Sequence, residues 1–323
     1  MISSPSLEQQ FPGPAARLLP WMNDPLVADI LVNGTSSAFV ERSGRLEAIE
    51  NPFASRTCLV DWIERLLVPL GKRVDALRPY ADGRCSDGTR FHVILPPVAV
   101  DGPIVSLRKR APTDAYPLEC FGEPEVMRRL QEALVAGSNI LIAGGTGSGK
   151  TTLLTRLLER LPSHERLVVV EESWELRPAH PHAVHLEGRP PTPDGTGEVG
   201  LRELLRNALR MRPDRLVLGE CRGPEAFELL QAWNTGHRGS VTTIHASGAR
   251  DALRRLESLV LIAGIVPSPL VVRSWIAASV NLIAYLERRG GRRRVVELMS
   301  VKGLEGDVYR CLPEYPRARV GLV

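Results

Sequence analysis

The sequence predicts two domains: an α/β domain built on a mainly parallel sheet, preceded by a smaller α+β domain. Three observations carry this. From residue 125 onward, apolar strand-like runs alternate with helical patterns, the signature of βαβ units. Before residue 110, short strands and one helix follow one another without that alternation. Between them, residues 111–124 hold three prolines and Gly122, the composition of a linker. At 323 residues the chain is long enough for two separate cores.

The elements follow in order. Residues 1–20 carry Pro5, Pro12, Pro14 and Pro20 with little periodicity, so a flexible N-terminal tail or a short helix is expected. The α+β domain is expected over 21–110, with strands at 29–33 and 38–42 joined through Asn33-Gly34. Residues 56–70 place Leu59, Ile63, Leu66, Leu67 and Leu70 at helical spacing. Further strands are expected at 91–95 and 104–107. The α/β domain is expected over 125–303, with a strand at 139–143, a helix at 150–161, and apolar strands at 167–170 and 215–219. Residues 281–287 and 293–300 flank Gly290-Gly291 as an antiparallel hairpin. Residues 304–323 are expected to form a C-terminal tail.

Composition narrows the function classes. Hydrophobic residues make up 43% of the chain and charged residues 24%, as in ordinary soluble proteins. A net charge of +4 suits an acidic membrane surface or partner and is too weak to argue for nucleic acid. Five scattered cysteines, odd in number, read as reduced thiols in a cytoplasm. The N-terminus has neither the basic region nor the apolar core of a secretory signal. The longest apolar stretch, 259–272, is interrupted by Gly264, Pro267, Ser268 and Pro269, so any membrane role is expected to be peripheral.

The most informative segment is Gly-Gly-Thr-Gly-Ser-Gly-Lys-Thr at 144–151, a complete phosphate-binding loop between the expected strand and helix. Gly144, Gly145, Thr146, Gly147, Ser148, Gly149, Lys150, Thr151 and Thr152 form the candidate nucleotide-binding set. The glycines let backbone N–H groups converge on a polyphosphate, and the helix N-terminus faces the same point. Lys150 is expected to reach the β and γ phosphates of ATP, and the Thr151 hydroxyl to ligate Mg²⁺. The chain has 37 Arg and four Lys, yet keeps a Lys here, where a compact charge on a slender stem is needed.

Hydrolysis needs more than a phosphate loop. Glu220 follows the apolar run 215–219 and is the candidate acid beside the metal. Glu171, Glu172 and Glu175 follow the run 167–170, and Glu175 could orient or deprotonate the attacking water; solvated loop acids are the alternative. His237 and His245 bracket the strand-like run 238–244. Arg90 and Arg108 in the first domain are candidate phosphate ligands if that domain folds over the nucleotide. Arg206, Arg210, Arg212 and Arg222 lie close in sequence to the Glu220 strand. His180, His182 and His185 suggest a metal cluster, but no Cys or carboxylate completes it, so a solvated loop is expected.

Taken together, these segments resemble the secretion-superfamily traffic ATPases of type II and type IV secretion and of type IV and Tad pili. The segments are Ile-Leu-Val-Asn-Gly (30–34), the phosphate loop, Glu-Glu-Ser-Trp-Glu-Leu (171–176), Arg-Pro-Asp-Arg-Leu-Val-Leu-Gly-Glu-Cys-Arg-Gly (212–223) and Trp-Asn-Thr-Gly-His-Arg-Gly-Ser-Val-Thr-Thr-Ile-His-Ala (233–246). Residues 71–75, 82–90 and 96–109 resemble the CpaF-like Tad branch, as does 301–308. The resemblance covers about residues 25 to 310. It implies a RecA-like P-loop ATPase domain behind a PAS-like α+β domain. It also implies Glu220 as the Walker B acid, Glu175 as the catalytic glutamate, His237 and His245 as the His-box pair, and Arg90 and Arg108 as nucleotide clamps.

The implied assembly is a homo-hexamer at the cytoplasmic face of the inner membrane, bound peripherally and working on membrane-embedded platform proteins, with ATP and Mg²⁺ and without direct nucleic acid. Three features depart from the pattern: Glu172 replaces the usual Asp, Ser247 replaces the usual Asn, and both ends of the chain are short. A conjugative type IV secretion ATPase is the alternative within the same mechanism. A nucleotide switch would carry a guanine-reading Asn-Lys-x-Asp motif, which this chain lacks.

Overall fold

The computed structural model describes residues 6–109, 116–192, 195–265 and 268–315. The chain divides into two units, Met1–Ala115 and Tyr116–Val323.

In the first unit, α1 (Leu7–Gln10) and α2 (Leu19–Asn23) precede β1 (Val27–Asn33), β2 (Ser37–Arg42) and β3 (Arg45–Ile49). Helix α3 (Arg56–Leu67) is followed by β4 (Tyr80–Arg84), β5 (Arg90–Ile94) and β6 (Ile104–Arg108). The six strands form one antiparallel sheet in the order β3-β2-β1-β6-β5-β4. Helix α3 starts where Ser55 accepts the Cys58 N–H, and it buries Leu59, Trp62, Ile63, Leu66 and Leu67 on one face. The expected last turn is a short 3-10 segment, Val68–Leu70, with no buried residue.

Residues 6–20 take the short-helix alternative rather than the flexible tail. Phe11, Ala15, Leu18 and Met22 are buried in the core of the first unit. Phe11 and Phe53 both pack on Trp62, with ring centroids 5.4 and 5.1 Å away. The Trp62 indole N–H donates to the Gln10 carbonyl at 3.0 Å. The buried positions 11, 15, 18 and 22 are spaced as on a helix, while Pro14 and Pro20 sit in first turns, where the missing N–H costs nothing. The prolines here open helical segments.

The second unit begins with a 3-10 turn, Leu118–Phe121, and α4 (Pro124–Val135). It continues through β7 (Ile140–Gly144), α5 (Lys150–Leu158), β8 (Leu167–Glu171), β9 (Ala183–Glu187), α6 (Leu201–Ala208), β10 (Arg215–Cys221), α7 (Glu225–Asn234) and β11 (Val241–Ile244). Helices α8 (Ala249–Ile262) and α9 (Pro269–Ser279) lead into β12 (Leu282–Arg289), β13 (Arg292–Glu305) and β14 (Val308–Tyr315). The sheet runs β14-β13-β12-β7-β11-β10-β8-β9. It is parallel from β12 to β9 and antiparallel in the β12-β13-β14 meander.

Both faces of this sheet are covered, which is why its central strands read as continuous apolar runs. Ile140, Ile142, Val169 and Val217 face Leu130, Leu153, Leu154 and Leu157 of α4 and α5. Leu141, Ala143, Val168, Val170 and Leu218 face Leu205, Leu229, Leu253 and Ile276 of the helices on the other side. The alternation is the strand's period of two.

Two expected boundaries move. Part of the expected linker, residues 111–115, lies outside the described residues, while Leu118 and Phe121 are already buried in the second unit. The expected C-terminal tail is sheet as far as Tyr315, because β13 runs on to Glu305 and β14 pairs with it; residues 316–323 lie outside the described residues.

Candidate active site

The phosphate loop leaves β7 at its carboxyl end, where ligands bind in open α/β sheets, and enters α5 directly. Gly149 has φ +98, and a Cβ there would lie 2.8 Å from Arg293 Cδ and 3.1 Å from Phe121, so both backbone and space demand glycine. Lys150 is buried, and its ammonium donates to the carbonyls of Gly144 and Gly145 at 3.0 and 2.9 Å. Burial, with help from Arg222, lowers its pKa, while Glu220 opposes the shift. Thr151 and Thr152 open the first turn of α5, where Thr151 holds the Thr155 hydroxyl through its carbonyl at 2.8 Å.

These residues fit a bound polyphosphate. The Ser148 hydroxyl is buried without a partner. Nothing stands within 4 Å of a Cβ built at Gly145 or Gly147. Thr146 is exposed on the same loop.

Glu220 reaches this edge through an irregularity. Leu218 pairs with Thr242 and Cys221 with Ile244, so β10 uses three residues where β11 uses two. Glu220 Oε1 lies 2.8 Å from His245 Nε2, without the direction of a hydrogen bond, and Oε2 accepts from Arg222 Nε at 2.6 Å. Arg222 also reaches Glu172 at 3.3 Å. Burial and the positive charges of Lys150 and Arg222 hold the His245 imidazole below its ordinary pKa, against the pull of Glu220. Lys150, Glu220, Arg222 and His245 therefore form one electrostatic cluster.

Glu175 is half-buried on the loop after β8. Its neighbour Glu171 is buried, and the Glu171 carboxylate accepts the N–H groups of Glu175 and Leu176 at 3.1 and 3.0 Å. Ser247 donates to Asp251 through both its backbone N–H and its hydroxyl, at 2.8 Å each, so the departure from Asn falls in the turn into α8.

Several expected residues lie elsewhere. His237 precedes β11 and His245 follows it, so His237 sits at the amino edge of the sheet, away from the acidic cluster, with Nδ1 3.3 Å from the Ala232 carbonyl. The structure therefore does not bring the two histidines together. Arg206 pairs with Glu228 at 2.8 Å. His182 contacts Arg166 at 2.9 Å, and His180 donates to the Pro162 carbonyl at 3.1 Å. Among the described residues, no group of three His, Cys, Asp or Glu is placed to hold a metal.

Arg90 and Arg108 belong to the first unit, where they are direct cross-strand partners. Arg84 pairs with Arg90 on one side, and Asp29 with Arg108 on the other, so Arg84, Arg90, Arg108 and Asp29 make a row across four strands. Cross-strand partners share a face, and like charges placed so repel. Arg108 Nε donates to Asp29 at 2.9 Å, which offsets part of that. Sequence reasoning missed Arg84. The turn at Ser86-Asp87-Gly88 was the available signal, because a tight hairpin there sets Arg84 opposite Arg90. Arg293, beside Gly149 and 4.8 Å over the Tyr116 ring, left no local signal, since it arrives on a strand far along the chain.

The sequence pattern of the family described as Type II/IV secretion system protein matches residues 13–302. A Mycobacterium tuberculosis protein, whose name provisionally assigns it to conjugal transfer, is 37% identical over 91% of this chain and 86% of its own length. The conjugal transfer protein TrbB of Rhizobium radiobacter is 35% identical over 90% of this chain and 88% of its own. Among solved structures, the Legionella pneumophila ATPase DotB aligns with a TM-score of 0.59 at 25% identity, covering 93% of this chain and 83% of that one.

Proposed function

Because this chain belongs to the type II/IV secretion system protein family, we propose that it is a Mg²⁺-dependent ATP hydrolase that drives a pilus-assembly or secretion machine. One observation carries the reading. The phosphate loop and the cluster of Glu220, His245 and Arg222 stand at the same carboxyl edge, with the Glu171–Glu175 loop at the end of β8.

In this mechanism the loop N–H groups and Lys150 bind the phosphates. Thr151 and Glu220 would hold Mg²⁺, which supplies charge neutralisation on the β and γ phosphates. Glu175 orients the attacking water and takes its proton. His245, held neutral by its surroundings, tracks the Glu220 carboxylate. Arg90 and Arg108 are the nucleotide ligands that the family resemblance implies.

A homo-hexamer working peripherally at the cytoplasmic face of the inner membrane, on platform proteins embedded there, follows from the same reading. No helix among the described residues is long and apolar enough to cross a membrane. Tad-type pilus assembly is the first reading, from the resemblance of residues 71–109. The names of the conjugal transfer relatives favour the second, a DNA-transfer type IV system in which this chain handles no nucleic acid itself. Pilin and platform genes beside this one, as against relaxase and coupling-protein genes, decide between them.

The test of chemistry is turnover. Lys150→Ala should lower ATP hydrolysis by about 10²-fold or more, since no other group supplies a compact cation between the phosphates. Glu175→Gln and Glu220→Gln should keep ATP binding and lose hydrolysis by about 10²-fold or more. Wild-type turnover in a folded Lys150→Ala protein refutes the assignment.

A further inference from the structure

We infer that Glu171 is a positioning residue for hydrolysis: its buried carboxylate latches the loop that carries Glu175. The inference rests on the reading of Glu175 given above.

Three consecutive N–H groups of this loop are taken by carboxylates from two adjacent strand ends. Glu187, at the end of β9, accepts the Trp174 N–H at 3.0 Å. Glu171, at the end of β8, accepts those of Glu175 and Leu176 through Oε1, and Leu176 again through Oε2 at 3.2 Å. The outer side of the loop is held as well. The Trp174 indole N–H donates to the Leu176 carbonyl at 3.0 Å, and the Arg177 guanidinium lies 3.9 Å over the Trp174 ring.

The Glu171 side chain has almost no freedom of its own. It is 5% exposed, and a Cβ on Gly219 of β10 would stand 2.7 Å from its Cγ. Glycine at 219 is therefore what admits the carboxylate, one residue before Glu220. A buried carboxylate that accepts backbone N–H groups is a strong but ionisation-dependent tie. Glu175 on the loop and Glu187 on β9 are the charges that bear on it, both negative, and β10 meets it with Gly219. Burial raises its pKa to about 7, with those two charges adding and the two N–H bonds opposing. The ionised form, which holds the loop, therefore prevails above about pH 7 and is lost below it.

Two measurements test this. The first is amide hydrogen exchange of the 172–177 peptide, corrected for intrinsic rate, between pH 6 and 8. Wild-type protection should fall by about tenfold toward pH 6, and Glu171→Ala should exchange about tenfold faster than wild type at pH 8. Glu171→Gln is isosteric with the protonated acid and cannot titrate, so its protection should stay flat, near the wild-type level at pH 6. The second is kinetics. Glu171→Ala should lower kcat by about tenfold with KM for ATP within about twofold. Glu171→Gln should turn over at about the wild-type rate of pH 6 throughout and lose this pH dependence.

Unchanged exchange in Glu171→Ala, or a wild-type pH profile of exchange in Glu171→Gln, overturns the latch. Unchanged kcat in Glu171→Ala, where Glu175→Gln is inactive, overturns its part in positioning. Full activity in Glu175→Gln instead refutes the role of Glu175, while exchange still reads the latch. If Glu171→Ala fails to fold, Glu171→Gln alone answers through both pH profiles.

Discussion

Gly219 is the residue on which both acids at the site depend. It admits the Glu171 side chain and directly precedes Glu220. Gly219→Ala should destabilise the second unit by about 1–3 kcal/mol, because a fixed, hydrogen-bonded side chain must move to accept the methyl group. Urea unfolding followed by tryptophan fluorescence measures this, and an unchanged midpoint would mean that Glu171 gives way freely. At this scale the proposed site residues are legible as motifs: Lys150, Thr151, Glu175 and Glu220 stand in short segments beside apolar strand runs. The sequence did not display what holds them. The contact of Gly219 with Glu171 joins adjacent strands, and that of Gly149 with Arg293 joins a loop to a distant hairpin. The strand expected between His237 and His245 is present, and its length sets the two histidines at opposite edges of the sheet.

Among the elements, β7 shows how the central sheet is fastened at its amino edge. Asn139 accepts the Ser240 N–H at 3.0 Å and donates to the Ser279 carbonyl at 3.0 Å. Its own backbone N–H donates to Asn281 Oδ1 at 2.8 Å. One buried amide thus ties β7 to the approaches of β11 and β12. Asn139→Ala should cost about 2–4 kcal/mol, since it leaves a buried donor and a buried acceptor unpaired. Asn139→Asp should cost at least as much, because a buried negative charge then faces a carbonyl. Thermal unfolding of the three proteins at equal concentration tests the order. A stable Asn139→Ala variant would show that water takes over both bonds. Elements with a clear period or a flanking turn, such as α3, β7 and the β12-β13 hairpin, were legible in advance. Strands β3, β4 and β9 were not, because each is short and has no fully buried residue, and its pairing partner alone defines it.

For the whole molecule, the expected working form is a closed ring of six, since a motor that cycles with nucleotide needs neighbours joined through repeated heterologous contacts. Light scattering with and without a non-hydrolysable ATP analogue should give a hexamer favoured by nucleotide. Arg108→Ala should fold normally, because its side chain is 63% exposed and its ion pair with Asp29 adds little stability. Its turnover should nevertheless fall by about tenfold or more. A strict monomer in both conditions, with Arg108→Ala at full rate, excludes the ring motor even if the phosphate loop is confirmed. Division into two units was legible from the proline-rich stretch at 111–124, whereas the packing of residues 6–20 and the pairing of β14 were not, since prolines and charged edge strands hide packing. The N-terminal end has a practical consequence. A clone trimmed at Trp21 would strip Phe11 from the Trp62 ring and Ala15 and Leu18 from the same core, and the open socket would send the protein to inclusion bodies.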